Sequence, residues 1–303
     1  MTMLDKGAGL DTEATLPRAE IDRDYNARAS VPVETFEAAM RDYRAGSDVA
    51  RVACPGHLDV VYDRQSGQTL DIYGLGDTPR PVFLFIHGGY WRALSKRDSA
   101  FMARTLAAHG IATAVVDYRL APEVDLHEIV REVRAAAAFL WHHGADYGLD
   151  PERIFVGGSS AGGHLTGALL SGGWHREFDV PETLIKGALP ISGLFHLGPI
   201  AHSFVREWLP LEDGDVASLS PALNLPASGC PIVTAYAEGE PAGFERQSVG
   251  YHRLWQQAGF PSTLLKVAER NHFDVVLDLA REDTELTRAL LALIGTGQTP
   301  AGA

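Results

Sequence analysis

The chain has 303 residues, enough to bury a sizeable core in one large α/β domain or two small ones. A formal charge of −13 argues against nucleic acid and anionic membranes as partners, while 46% hydrophobic and 21% charged residues match a soluble globular protein. Two cysteines, Cys54 and Cys230, with no CxxC spacing make neither a disulfide framework nor a cysteine zinc site.

Residues 1–17 are small and polar and predict a disordered tail, as does the stretch 295–303 at the other end. No apolar run reaches the length of a signal peptide or a membrane span, so a cytoplasmic location is expected. Between the tails, 18–294 predicts a single domain. An extended entry leads to a helix near Pro32–Arg44, whose apolar face would begin with Val33, Phe36 and Met40. "HLDVVYD" and "TLDIYGLG" alternate apolar and polar residues, as half-buried antiparallel strands do. Val82–Ile86 is continuously apolar, the mark of a strand covered on both faces, and it runs into His87-Gly88-Gly89.

A helix is expected over Lys96–Ala108, a buried strand at "IATAVVDYRL", and a long helix through "PEVDLHEIVREVRAAAAFLWHHGADYG" with its C-terminal glycine. "RIFVGGS" reads as a strand and "AGGHLTGALLSGG" as a helix. "IKGALPISG", "CPIVTAYAEG" and "STLLKVAE" supply three more strands. This alternation predicts an α/β fold: a mostly parallel twisted sheet with helices on both faces and the antiparallel pair at one edge. The irregular Pro- and Leu-rich segment 194–223 is a candidate lid.

Gly158-Ser159-Ser160-Ala161-Gly162 spells G-x-S-x-G between the strand Ile154–Val156 and a helix starting near Ala161. A strand–turn–helix with glycines two before and two after the central serine is what a nucleophile elbow requires, because the strand and helix pass close together there. Ser160 is therefore the candidate nucleophile. Ser159 as the centre would end its frame in Ala161 instead of glycine, a poorer fit. An attacking serine needs fixed donors for the oxyanion, and the backbone N–H groups of Gly88, Gly89 and Ala161 are the candidates.

It also needs a base. His142 and His143 fall at a helix end and His196 and His202 in the lid segment, whereas His272 follows the last strand, where active groups of such sheets gather. An acid to orient it is expected after the penultimate strand, where Glu238 and Glu240 are both available and spacing does not choose between them. Asp117 and Arg119 read as a structural pair at a strand end, and Tyr90, Trp91 and Trp208 are candidates to meet a substrate.

These residues resemble the α/β-hydrolase superfamily and, within it, the kynurenine formamidase (arylformamidase) family and its esterase relatives. The resemblance covers most of the chain. It runs through "RDYNARASVP", "QTLDIYG", "HGGYWRALSKRDSAF", "VDYRLAPE", "GFERQS" and "NHFDVV". The "HGGYW" piece is the most specific, since lipase-like relatives carry a third glycine where Tyr90 and Trp91 stand here. The resemblance implies Ser160, Glu240 and His272 as triad. The family's acid, usually aspartate, stands four residues before the phenylalanine of F-x-R-Q-S, and counting back from Phe244 gives Glu240. It further implies hydrolysis of N-formyl-L-kynurenine to L-kynurenine and formate, with Tyr90 and Trp91 as substrate-binding residues and no metal or organic cofactor. A carboxylesterase acting on short acyl or aryl esters is the alternative. A non-catalytic binding module of the same fold is the remote one. The expected partner is a small-molecule amide or ester, with a homodimer left open.

Overall fold

In a computed structural model, residues 10–296 are described. The chain runs through α1 (Arg18–Tyr25), α2 (Val33–Ala53), β1 (Gly56–Val61), β2 (Thr69–Tyr73), β3 (Arg80–Ile86), α3 (Ala103–Ala108) and β4 (Ala112–Val116). It continues through α4 (Leu126–His143), β5 (Leu149–Ser159), α5 (Ala161–Leu170), β6 (Ile185–Ile191), α6 (Gly198–His202) and α7 (Asp213–Leu219). It ends with β7 (Ile232–Ala237), α8 (Ala242–Gln257), β8 (Ser262–Val267) and α9 (Glu285–Thr296). The eight strands form one sheet in the order β1-β2-β4-β3-β5-β6-β7-β8. β2 is antiparallel to both β1 and β4, and every other pairing is parallel, which puts the antiparallel pair at the edge.

Side chains alternate across a strand, so a strand buried on both faces must be apolar at every position. In β3, Val82, Leu84 and Ile86 join the core under α4, α5 and α8, while Phe83 and Phe85 join the one under α2, α3 and α9. β5 splits in the same way, with Ile154 and Val156 on one side and Phe155 on the other. Only the edge strand β1 is largely exposed.

Several expectations change. Residues 10–17 are not a tail: Leu10–Thr15 forms a 3-10 turn, Leu10 is buried against α8, and Glu13 accepts from Tyr25 Oη and pairs with Arg246. Local polarity hid this, because Glu13 is neutralised by a residue more than two hundred positions away. Residues 1–9 lie outside the described part. At the other end α9 continues through Gly295 and Thr296, and 297–303 lie outside it too. The helix expected over Pro32–Arg44 extends to Ala53. It buries Ala39, Tyr43, Ser47 and Ala50, whereas Val33 is exposed and Phe36 and Met40 are half-buried. Lys96–Ala108 is not one helix but a 3-10 turn at Lys96–Asp98 followed by the short α3.

Segment 194–223 carries α6, α7 and two 3-10 turns. Its inner face is core, with Leu194, Phe195, Leu197, Ile200 and Val205 fully buried. Gln247 of α8 holds its start, accepting from the Phe195 and His196 amides at 2.9 and 2.8 Å and donating to His196 O at 3.0 Å. Asp117 and Arg119 do not pair with each other. Asp117 accepts from the Lys96 amide at 2.7 Å, and Arg119 is held by Glu128 and Glu132 of α4. Each caps a different neighbouring segment, which a two-residue spacing along a strand end allows.

Candidate active site

The elbow between β5 and α5 forces Ser160 into a left-handed backbone, φ 60° and ψ −118°, which non-glycine residues adopt at a cost. The flanking glycines make this turn feasible. A Cβ on Gly158 would meet Gly162 O at 2.5 Å, and one on Gly162 would meet Ile86 O at 2.0 Å. Ser159 is instead the last residue of β5, in ordinary ladder register with Ile191. The strained turn thus singles out Ser160, and both serines line the main cavity.

Glu240 and His272 meet. His272 Nδ1 lies 2.7 Å from Glu240 Oε2, with the carboxylate fully buried and the histidine 4% exposed. Glu240 Oε1 accepts from the Ala237 amide and from Ser192 Oγ, both at 3.1 Å. Every polar atom of this carboxylate is therefore occupied, and its orientation is set before any substrate arrives. Glu238 points elsewhere, accepting from the Glu269 amide at 3.2 Å and standing 3.7 Å from Lys266. With Nδ1 donating to the carboxylate, Nε2 is the ring nitrogen left able to accept a proton, and His272 lines the cavity. No direct hydrogen bond joins Ser160 to His272 among the described residues, and such bonds commonly tighten only around a substrate.

Gly88 and Gly89 follow β3 directly beside the elbow. A Cβ on Gly88 would lie 2.8 Å from Ser159 O and 3.3 Å from Ser160 Cβ, so only glycine lets this backbone approach the serine. Gly89 has φ 97°. The amides of Gly88, Gly89 and Ala161 donate to no backbone acceptor among the described residues, and Ala161 opens α5, where amides point outward unpaired.

The cavity holds about 570 Å³ and is walled by Phe36, Tyr43, Tyr90, Phe101, Phe204 and Trp208 with Ser160 and His272. Burial pushes the Tyr90 and Tyr43 phenols up, so both stay neutral and serve as walls and hydrogen-bond donors. Tyr90 Oη donates to Tyr25 O. Trp91 is the correction: it is fully buried and stands outside the cavity, its ring edge-on to His164 at 5.2 Å. Tyr90 and Trp91 both have positive φ, 49° and 57°, and this tight turn sends adjacent side chains in different directions. Trp208 does reach the cavity, and its Nε1 donates to Tyr90 O at 3.2 Å.

Three neighbours of the site were given no role by the sequence. Ser192, after β6, holds the Glu240 carboxylate. The Phe244 ring packs 4.2 Å from the His272 ring. His87 stacks on Tyr118 at 4.2 Å, and its Nδ1 lies 2.9 Å from Gly88 O, which requires that nitrogen to carry the hydrogen. Burial lowers its pKa, so the ring stays neutral and braces the glycine turn. His164 is excluded as a base: it is fully buried, bonded to Leu219 O, and lowered by burial to about 4.

The BD-FAE family model matches residues 70–184. The chain is 32% identical to the kynurenine formamidase of Salmo salar over 270 residues, covering 86% of this chain and 90% of the relative. It is 29% identical to the kynurenine formamidase of Danio rerio over 292 residues, covering 93% and 98%. An esterase from Pyrobaculum calidifontis superposes with a TM-score of 0.69 at 20% identity, over 91% of this chain and 96% of that one. The fold is that of the α/β-hydrolases.

Proposed function

Since the chain belongs to the kynurenine formamidase family of α/β-hydrolases, we propose that it hydrolyses N-formyl-L-kynurenine to L-kynurenine and formate by way of a formyl-serine. It is a hydrolase, as its relatives are. The observation that carries the mechanism is the fully held Glu240 carboxylate 2.7 Å from His272, facing one cavity with the strained Ser160.

Ser160 Oγ forms a bond to the formyl carbon while His272 Nε2 takes its proton. The carbonyl π pair moves onto oxygen, where the amides of Gly88, Gly89 and Ala161 meet it, each worth about 3 kcal/mol in the transition state. Glu240 holds the imidazolium. Collapse of the tetrahedral species breaks the C–N bond, and the proton on His272 goes to the departing arylamine nitrogen. His272 then takes a proton from water, whose oxygen attacks the formyl-serine. Formate leaves and Ser160 regains its proton. A formyl group demands little room at the serine, and the aromatic walls suit an aryl ketone.

Ester hydrolysis passes through the same intermediate, and the apolar cavity also suits an aryl ester; this is the second reading. Comparing kcat/KM for N-formylkynurenine and p-nitrophenyl acetate separates the two, and hydrolysis of esters alone refutes the formamidase reading. Ser160→Ala is expected to lose about 10⁶-fold in kcat. A fluorophosphonate adduct mapped by mass spectrometry is expected on Ser160. A variant within tenfold of the parent, or an adduct on Ser159, overturns the mechanism. Free thiols at Cys54 and Cys230 support a reducing, cytoplasmic setting. No described helix is long and apolar enough to cross a membrane.

A further inference from the structure

Two arginines at the cavity have no acidic partner among the described residues. Arg28, in the 3-10 turn Ala27–Ser30, has its guanidinium carbon 4.6 Å from the centre of the Phe36 ring, and its Nη1 donates to Val31 O at 3.3 Å. Arg92 follows the left-handed turn at Tyr90 and Trp91 and lies 4.2 Å over the Trp208 ring. Both arginines are exposed, and both they and the rings beneath them line the cavity that holds Ser160. Other arginines near this half of the sheet are engaged, as in Arg44–Asp98, Arg119–Glu132, Arg131–Asp63 and Arg246–Asp24. Arg28 and Arg92 form no ion pair among the described residues. Among the described residues no aspartate or glutamate lines the cavity, so the rim they form is cationic in a chain of charge −13.

A guanidinium lying on an aromatic face has its plane fixed, while its N–H donors point outward from the edge. That is the fork geometry that receives a carboxylate, with part of the ordering cost already met. The absence of carboxylates from the lining means the cationic field is not cancelled locally.

We propose that Arg28 and Arg92 form an anion subsite at the cavity rim, which receives a carboxylate carried by the leaving-group half of the substrate. The assignment to the leaving-group half rests on the small-acyl reading above: an acyl group seated on Ser160 is too short to reach exposed side chains, so the larger half extends to the rim. The subsite selects among amides or esters by charge and leaves the chemistry at Ser160 unaltered.

The test uses two acetate esters, that of p-nitrophenol and that of a carboxylated nitrophenol, beside N-formylkynurenine and its methyl ester assayed by formate release. In Arg28→Gln and in Arg92→Gln, the ratio of kcat/KM for the carboxylate-bearing member of each pair over the member without a carboxylate is expected to fall about tenfold, chiefly through KM. Arg92→Lys, which keeps the charge and loses the fork, is expected to recover part of the ratio. In the unaltered protein, KM for the anionic ester is expected to rise as NaCl goes from about 20 mM to about 500 mM, with KM for the neutral ester constant. Ratios within twofold of the parent in both glutamine variants overturn the subsite. A salt-independent KM for the anionic ester does so too, even where a variant fails to fold. Absence of N-formylkynurenine turnover refutes the formamidase reading alone, because the ester pair still reports on the arginines.

Discussion

Replacing Glu240 by glutamine removes the acid's charge while keeping its shape. Glu240 Oε1 accepts from the Ala237 amide and Ser192 Oγ, both at 3.1 Å, and a carboxamide oxygen serves both equally well. Those two bonds decide which way the carboxamide faces. Its NH₂ group must then turn to His272 Nδ1, which lies 2.7 Å from the oxygen it replaces. A donor in that position makes Nδ1 the acceptor and moves the ring hydrogen to Nε2, the atom that has to accept the Ser160 proton. Loss of the correct tautomer in a triad costs about 10⁴ in kcat, or about 5.5 kcal/mol of transition-state stabilisation. Steady-state kinetics on N-formylkynurenine and p-nitrophenyl acetate measure the loss. A thermal melt run in parallel is expected to stay within a few degrees, since both orienting bonds survive. A kcat loss under tenfold at unchanged Tm would refute the reasoning, because Glu240 would then set neither the tautomer nor the imidazolium energy.

Two further outcomes follow from the packing. In Gly162→Ala the new methyl meets Ile86 O at 2.0 Å and His87 O at 2.7 Å; neither backbone oxygen can yield, so about 3 kcal/mol of stability and about 6 °C of Tm should be lost, and a melt identical to the parent's contradicts the elbow geometry. His164 is held neutral by burial, its pKa lowered to about 4 from 6.5. Between those values the unfolded chain binds a proton that the folded one does not, so stability falls as pH drops, by about 2 kcal/mol from pH 7.5 to 5. Urea melts of His164→Gln should show a correspondingly flatter acid limb, and an unchanged slope rules the histidine out as its source.

Much of this site is written locally. The strand, the strained serine and its two glycines sit within a few residues, and each constrains the next: only Gly158 and Gly162 permit the crossing, so the pentamer announces Ser160. The sheet is legible for a similar reason, since strands buried on both faces must be continuously apolar. His272 and the glycines after β3 stand out in the sequence by their place at strand ends.

What escaped involves direction and distant partners. Spacing by itself leaves Glu238 and Glu240 equivalent, and only the resemblance around Phe244 points to Glu240. They differ in the folded chain because the β7–α8 turn aims one at His272 and the other at Lys266. Tyr90 and Trp91 are neighbours in sequence, yet left-handed backbone at both turns one into the cavity and the other into the core beside His164. The N-terminal segment looked unanchored because the arginine that holds Glu13 lies in α8. Sequence alone determined the periodicities, the elbow and the chain order of the candidate groups, since these depend on neighbours within a turn or a strand. Tertiary structure decided how the acid meets the histidine, which aromatics face the cavity, and that Arg28 and Arg92, 64 positions apart in the chain, share one cavity rim. Those outcomes depend on backbone directions and long-range packing, which no local pattern of residue types encodes.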